Sequence, residues 1–104
     1  MIIALALSEN HNNSHIDQHF GRCDWYCIYN SENKEKKFIA NPNRDNDEGA
    51  GCNSAEMLFE YNINVAVAGR FGNKVTDFFR QHNVQMVIAK EDQTIEYIIN
   101  RIKK

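Results

Sequence analysis

The most constraining feature of this sequence is a continuous apolar run, Ile2–Leu7, near its start. Because no polar residue interrupts the run, a strand formed by it is buried on both faces, as in sheets covered by helices. Two further predicted strands, Asn64–Ala68 and Val84–Ala89, are also mostly apolar, and a helical pattern follows each of them. Strands that alternate with helices pair in parallel through right-handed crossovers, which indicates an α/β domain.

A hairpin is predicted between the first strand and these units. Aromatic and β-branched residues fill Asp24–Asn30, and Glu35–Ala40 follows after a short polar turn. The predicted order is therefore β-β-β-α-β-α-β-α, with one mixed five-stranded sheet and helices covering it. A length of 104 residues is usual for one domain, so we expect residues 1–104 to form a single domain.

Three helices are predicted from apolar residues at helical spacing. The first begins near Asn53, where Glu56 completes a capping box, and it ends near Asn62, a residue suited to a left-handed cap. The second ends at Asn83, and its apolar positions are Val75, Phe78, Phe79 and His82. The third has a stripe of isoleucines, Ile95, Ile98, Ile99 and Ile102. Its basic end suits the helix dipole and consists of Arg101, Lys103 and Lys104.

Composition limits the class of function. The net charge is −2 at pH 7, so the chain has no general attraction for nucleic acid or an anionic membrane. No segment approaches the roughly 18 apolar residues of a membrane span, and the apolar start lacks the features of a signal peptide. The cysteines Cys23, Cys27 and Cys52 are odd in number, which predicts reduced thiols and a cytoplasmic protein.

The predicted topology brings four loops to one edge of the sheet: Ser8–Arg22, Asn43–Gly51, Gly69–Asn73 and Lys90–Gln93. Ligands of open α/β sheets bind at this edge, where helix N-termini also favour anions. Side chains of types that can bind a metal are expected there, namely His11, His15, His19, Cys23 and Cys52. The cations Arg22, Arg44 and Arg70 are expected at the same edge. The first of the four loops is long and polar, so we expect it to be mobile without a ligand.

Four residues are candidate metal ligands: His15, His19, Cys23 and Cys52. The two histidines have a chelating spacing on a helix, although their segment lacks a helical pattern, and His19 could instead fix the loop by hydrogen bonds. Cys23 is a soft thiolate donor, and Cys52 lies beside a predicted helix N-terminus; burial in the core is the alternative for both. Cys27 lies ~13 Å from Cys23 along a strand and is predicted to be a core residue.

Glycines and arginines at the same edge are candidates for binding an anion. Gly21, Gly69 and Gly72 would form tight turns with exposed N–H groups, although turn geometry alone could also require them. The turn before the second helix is a credible anion cradle, but it lacks the Lys-Ser/Thr of a nucleotide-binding loop. Arg22 and Arg70 could pair with the anion, with solvated surface charge as the alternative.

A specific string, His19-Phe20-Gly21-Arg22, follows the first strand by about a dozen residues. The aromatic hairpin Trp25–Ile39, then Ala68-Gly69-Arg70-Phe71-Gly72 opening one helix, and Thr94-Ile95-Glu96 opening the last come after it. In this order and spacing, nearly the whole chain resembles the dinitrogenase iron–molybdenum cofactor biosynthesis family. That family includes NifX-like carriers, the C-terminal domain of NifB, and the orange protein that holds a molybdenum–copper–sulfur cluster.

The resemblance implies a ribonuclease H-like fold and non-covalent carriage of an anionic cluster. The cargo would be an iron–sulfur or molybdenum-containing metal–sulfur cluster, exchanged with donor and acceptor proteins. The family's motif maps onto His19, Phe20, Gly21 and Arg22, and its glycine turn maps onto Gly69 and Gly72, which enclose Arg70.

Three functions are compatible with these features of the sequence. The first is a non-catalytic carrier or scaffold for a metal–sulfur cluster, and the second is a protein–protein adaptor or regulatory domain without a ligand. The third is a small Cys–His hydrolase, in which Cys23 or Cys52 would act with His19. The strands Ile2–Leu7 and Asn64–Ala68 carry no carboxylates to hold metal ions, which argues strongly against nuclease chemistry.

Overall fold

A computed structural model describes residues 1–45 and 49–102 of the protein. Residues 46–48 of the predicted loop Asn43–Gly51, and the basic Lys103 and Lys104, lie outside the described residues. The eight elements are β1 (Ile2–Leu7), β2 (Trp25–Asn30), β3 (Lys36–Ala40), α1 (Ala50–Phe59), β4 (Val65–Ala68), α2 (Asn73–Gln81), β5 (Gln85–Ile88) and α3 (Ile95–Ile102). This order confirms the predicted β-β-β-α-β-α-β-α arrangement.

The strands form one mixed sheet in the order β3-β2-β1-β4-β5. β1 pairs antiparallel with β2, and β2 antiparallel with β3. β1 pairs parallel with β4, and β4 parallel with β5. The carboxyl ends of β1, β3, β4 and β5 therefore meet at one edge, as the sequence predicted, and α1 and α2 begin there.

Helices cover both faces of the sheet, which explains why β1 is apolar throughout. Ala4 and Ala6 face the cluster formed with α1 and α2, whereas Ile3, Leu5 and Leu7 face the cluster formed with α3. No described helix is both long enough and apolar enough to cross a membrane.

The start of α1 differs from the prediction. The helix begins at Ala50, three residues before the expected start, and its N-cap is Gly49 with a φ of 72°. The N–H of Asn53 donates to the Gly49 carbonyl at 2.8 Å, so Asn53 belongs to the first turn and does not cap it. The left-handed conformation predicted at Asn62 is confirmed by its φ of 63°, although α1 itself ends at Phe59 and its C-cap is Glu60. Asn83, which directly follows the C-cap His82 of α2, has a φ of 60°.

The second half of the long loop Ser8–Arg22 is bound to the sheet edge. The N–H of Ile16 donates to the Gln93 carbonyl at 2.9 Å, and the N–H of Asp17 donates to the Ala6 carbonyl at 2.8 Å. Ile16 and Phe20 are buried, each about 2% exposed. The sequence predicted a polar loop that would be mobile without a ligand, but its second half buries two apolar side chains against the rest of the protein.

We predict that amide hydrogen exchange divides this loop into two parts. The amides of Asn10–Asn13 should exchange within seconds, whereas those of Ile16, Asp17 and Phe20 should be protected by the hydrogen bonds they donate to neighbouring segments. Exchange followed by NMR at residue resolution measures this difference. Uniformly fast exchange across Ile16–Phe20 would show that the loop is not bound to the sheet.

A second prediction concerns α3. Ile98 is 2% exposed within the cluster shared with β1 and β4, so Ile98→Ala should lower the free energy of unfolding by about 2–5 kcal/mol. Tyr97, on the same helix and 48% exposed, provides the control, and Tyr97→Ala should cost less than about 1 kcal/mol. Chemical denaturation measures both, and equal losses would show that α3 packs differently.

Candidate functional site

An open cleft of about 510 Å³ lies at the edge of the sheet where the loops meet. Its walls come from the loop after β1, the N-terminus of α1, and the turn that leads from β4 into α2. The lining residues are His19, Phe20, Gly21, Arg22, Gly49, Ala50, Gly51, Cys52, Arg70, Gly72, Asn73, Lys74 and Val75. All four residues of the His-Phe-Gly-Arg string thus contribute to a single cleft.

Backbone contacts hold the two predicted motifs side by side. A parallel bridge joins His19 to Arg70, and the N–H of Phe20 donates to the Arg70 carbonyl at 3.3 Å. Earlier in both segments, the N–H of Gly69 donates to the Asp17 carbonyl at 2.9 Å. The segment 17–20 therefore runs along the exit of β4, and this pairing fixes one wall of the cleft.

Aromatic packing fixes the same wall from beneath. The Phe20 ring lies 5.6 Å from Tyr26, 5.2 Å from Phe71 and 5.4 Å from Phe79, measured between ring centroids. The Tyr26 hydroxyl donates a hydrogen bond to the Phe20 carbonyl. Phe20 therefore anchors the loop in the core, while its neighbours His19 and Arg22 remain at the cleft.

The glycines of the site have different structural roles. A Cβ on Gly21 would lie 2.6 Å from the Cα of Gly51, so the loop and α1 touch through their backbones. A Cβ on Gly69 would lie 2.4 Å from the Gln18 side chain, and Gly69 supports the cleft without lining it. Gly72 has open space around it and an extended backbone, with φ −69° and ψ 163°, so the fold itself does not require glycine there.

The charge of the cleft is positive. Arg22, Arg70 and Lys74 line it, and no carboxylate occurs among the described lining residues. Arg22 is held in place, since its Nη1 donates to the Arg44 carbonyl at 3.0 Å, while Arg44 forms an ion pair with Asp24 at 2.7 Å. α2 also begins at the cleft with the glycine N-cap Gly72 and no side-chain cap, which leaves its first-turn N–H groups available to an anion.

His19 and His15 lie differently with respect to the cleft. His19 lines it with a side chain that is 62% exposed, and its Nδ1 is 3.9 Å from a carboxylate oxygen of Asp17. His15 is exposed in a neighbouring depression that it shares with Asp17, His19, Glu91 and Asp92. His19 is therefore common to both surfaces, whereas His15 faces only the second.

The three cysteines occupy three distinct environments. Cys52 is partly exposed and lines the cleft in the first turn of α1. Cys23 is 1% exposed, and its thiol donates to the carbonyls of Phe20 at 3.5 Å and Trp25 at 3.3 Å, so it lies beneath the cleft wall. Cys27 is fully buried in the cluster on the opposite face of the sheet, which confirms its predicted core role.

The predicted metal ligands thus do not form one coordination set. Within residues 1–45 and 49–102, no three His, Cys, Asp or Glu side chains are grouped so that they could hold a metal ion. Of the four candidates, only His19 and Cys52 line the same cleft. A metal bound there would have to bring most of its own ligands, as a metal–sulfur cluster does with its sulfides.

Burial of the thiols predicts a loss of stability at alkaline pH. Burial raises the pKa of Cys23 from 9.0 to about 12 and that of Cys27 from 9.0 to about 11. Because the unfolded thiols ionise first, each group should destabilise the fold by about 1.4 kcal/mol per pH unit between its unfolded and folded pKa values. The burial of Tyr26, which raises its pKa, acts in the same direction at higher pH.

The measurement is the free energy of unfolding between pH 8 and 11 for wild type, Cys23→Ala and Cys27→Ala. Both variants should lose some stability at pH 8 through the missing sulfur, but their further loss as the pH rises should be smaller than that of wild type. Three parallel curves would contradict the assignment of these thiols as buried and protonated.

Sequence reasoning missed several residues of this site. Lys74 contributes through the first turn of α2, directly after the predicted cradle that ends at Asn73. Gly49, Ala50 and Gly51 were expected only as part of a loop at this edge, and they contribute through the early start of α1. Lys74 could have been found from its position two residues after the glycine turn. The small residues before Asn53 gave no local signal, because their role arises from contact with a loop distant in sequence.

The fold and the cleft define a class: a small α/β protein with an open, cationic cleft at the carboxyl edge of a mixed sheet. The chain belongs to the dinitrogenase iron-molybdenum cofactor family, whose sequence model matches residues 1–104. This membership confirms the resemblance seen in the His-Phe-Gly-Arg string and the glycine turn.

Individual relatives show the same relationship. An uncharacterized protein of Methanocaldococcus jannaschii is 30% identical over an alignment of 101 residues, which covers 94% of this chain and 82% of that protein. The apo form of the orange protein from Desulfovibrio gigas has a TM-score of 0.92 and 19% identity, over 98% of this chain and 86% of the other. A Thermotoga protein assigned to NifB has a TM-score of 0.83 and 16% identity, with the same two shares of coverage. The two structures show a shared fold.

Proposed function

We propose that this protein is a non-catalytic carrier or scaffold that binds an anionic metal–sulfur cluster in the cleft. The observation that supports this most is the charge of the lining: Arg22, Arg70 and Lys74 are present, and the described lining contains no carboxylate. A cluster such as a thiomolybdate or an iron–sulfur anion would gain charge-assisted hydrogen bonds from these side chains. Family membership supports the same class of cargo.

Within this proposal, the direct donors to metal are His19 and Cys52. Imidazole and thiolate both suit transition metals, and these two residues line the cleft from different segments, the loop after β1 and the first turn of α1. We propose that His15 does not contact the bound cluster, since it faces the neighbouring depression. Cys23 would support the wall from within, because binding metal would require its buried thiol to leave the core.

The glycines and Phe20 complete the proposed site in distinct ways. Gly21 and Gly69 allow the close backbone approaches that shape it, and Phe20 anchors the loop. Gly72 is unconstrained by the fold, so we propose that its missing side chain leaves room for the ligand at the start of α2.

The proposal also includes a fold family, a cellular compartment and partner proteins. The strand order β3-β2-β1-β4-β5 with β2 antiparallel supports a ribonuclease H-like assignment. A carrier in a reducing cytoplasm would receive its cluster from a donor protein and pass it to an acceptor protein. An open cleft with few direct donors suits such transfer, since the cargo can leave without dismantling a closed cage.

The hydrolase alternative has less support. No hydrogen bond joins Cys52 to His19 within the part of the chain that the structure describes, so a base positioned on a nucleophile is not seen. The adaptor alternative does not account for the gathering of three cations around a cleft.

Anaerobic titration with tetrathiomolybdate tests the proposal. The anion absorbs visible light, so gel filtration should show color co-eluting with the protein, and metal analysis should give a saturable ratio. An excess of sulfate at matched ionic strength should displace it only weakly if soft donors contribute. Absence of co-elution with tetrathiomolybdate, and also with iron–sulfur clusters offered in the same way, would refute a carrier function.

A further inference from the structure

One buried polar side chain, Asn41, lies behind the cleft wall and takes no part in lining it. Asn41 follows β3 and is 8% exposed. Its Nδ2 donates to the carbonyls of Gly21 at 3.0 Å and Cys23 at 2.9 Å. Its Oδ1 accepts from the N–H of Asn43 at 3.0 Å and the hydroxyl of Ser54 at 3.1 Å. The full capacity of a side-chain amide, two donors and two acceptors, is thus used.

The two carbonyls that Asn41 holds are those on either side of Arg22. Gly21 and Cys23 flank that residue in sequence, so fixing both of their carbonyls fixes the backbone from which the arginine side chain leaves. The linker after β3 contacts Arg22 a second time, since the guanidinium Nη1 donates to the Arg44 carbonyl at 3.0 Å. The linker after β3 therefore fixes both the backbone from which Arg22 extends and the direction of its guanidinium.

The same amide connects this loop to α1. Ser54 is fully buried on α1, and its hydroxyl donates to Asn41 Oδ1 at 3.1 Å. Close by, the backbones of Gly21 and Gly51 touch with no room for a Cβ. A small shift of residues 21–23 would therefore either collide with α1 or open the cleft wall.

We propose that Asn41 is a positioning residue of the cleft, which clamps residues 21–23 against α1 and thereby places Arg22 for anion binding. The effect of Asn41 on anion binding rests on the proposed function. The clamp itself is a property of the protein without ligand. A buried amide is needed for it because a carboxylate would place oxygen against the two carbonyls, and an aliphatic residue would leave both carbonyls unpaired.

The first arm of the test needs no ligand. In Asn41→Asp the clamp should loosen and expose Cys23. The rates at which iodoacetamide alkylates Cys23 and Cys27 are measured by peptide mass spectrometry. The ratio of the Cys23 rate to the Cys27 rate should rise at least about tenfold over wild type. Cys27 lies on the opposite face of the sheet in the same molecule, so it reports global unfolding. An unchanged ratio of the two rates would overturn the clamp.

The second arm is a double-mutant cycle with tetrathiomolybdate as the probe. Asn41→Asp should raise the Kd about tenfold in wild type but less than about twofold in Arg22→Ala, because the residue through which it acts is then missing. Equal losses in both backgrounds would overturn the assignment, since a residue with a merely structural role lowers affinity whether or not Arg22 is present.

A milder variant covers the case in which Asn41→Asp does not fold. Ser54→Ala removes one hydrogen bond to Asn41 Oδ1 and leaves those to the Gly21 and Cys23 carbonyls, so it should shift both readouts in the same direction by a smaller factor. No change in either readout for this folded variant would count against the clamp. If wild type binds no probe, the proposed function fails, while the alkylation ratio still decides whether Asn41 fixes the loop.

Discussion

Replacing Phe20 by alanine is expected to lower the free energy of unfolding by about 3–5 kcal/mol. The ring is 2% exposed and packs among Tyr26, Phe71 and Phe79, so its removal leaves a cavity where the loop meets the core. The Phe20 backbone also connects the loop to Arg70. The variant should therefore lose anion binding more completely than its loss of stability explains, as measured by denaturation and by titration of the folded fraction.

Phe71→Ala provides the matched control for this prediction. Phe71 belongs to the same aromatic group, at 5.2 Å from Phe20, but it is only partly buried, so its removal should cost roughly half as much. A loss below about 1 kcal/mol for Phe20→Ala would show that the ring is peripheral. A large loss of stability with undiminished binding by the folded fraction would show that the loop does not form the cleft wall.

The largest effect on binding is expected when two cations of the cleft are removed together. Charge-assisted hydrogen bonds contribute about 1.5–3 kcal/mol when shielded from solvent and less when exposed, so Arg70→Ala and Lys74→Ala should each raise the Kd for tetrathiomolybdate about tenfold. The double variant should approach a hundredfold. The dependence of Kd on ionic strength should also become weaker, because fewer charges then attract the anion.

The second helix offers a matched control. Arg80 lies in the last turn of α2, whereas Lys74 lies in the first turn at the cleft. Arg80→Ala removes the same charge from the same helix at its opposite end, so net charge changes equally but affinity should change less than about twofold. Equal weakening by Lys74→Ala and Arg80→Ala would mean that the anion responds to overall charge and not to this cleft.

Much of the fold could be predicted because the relevant signals are local. An apolar run such as Ile2–Leu7 must be covered on both faces, and the isoleucine stripe of α3 must be buried on one. The positive φ after α1 at Asn62 and after α2 at Asn83 suits asparagine, a side chain that tolerates the left-handed conformation. The meeting of the loops at one edge also followed, because strand direction is determined once the order of hairpin and crossovers is known.

What the sequence determined by itself is thus the set of elements, their order, and the edge at which His19, Arg22 and Arg70 gather. Only the tertiary structure decided which way each side chain faces and which distant segments touch. Cys23 follows one loop of this edge and Cys52 lies in the first turn of the helix that follows another, yet packing buries one thiol and leaves the other at the cleft. Asn41 resembles any asparagine before a proline until the fold places two carbonyls and a hydroxyl around it. Burial and long-range hydrogen bonds depend on the whole packed chain, so no local pattern of residues encodes them.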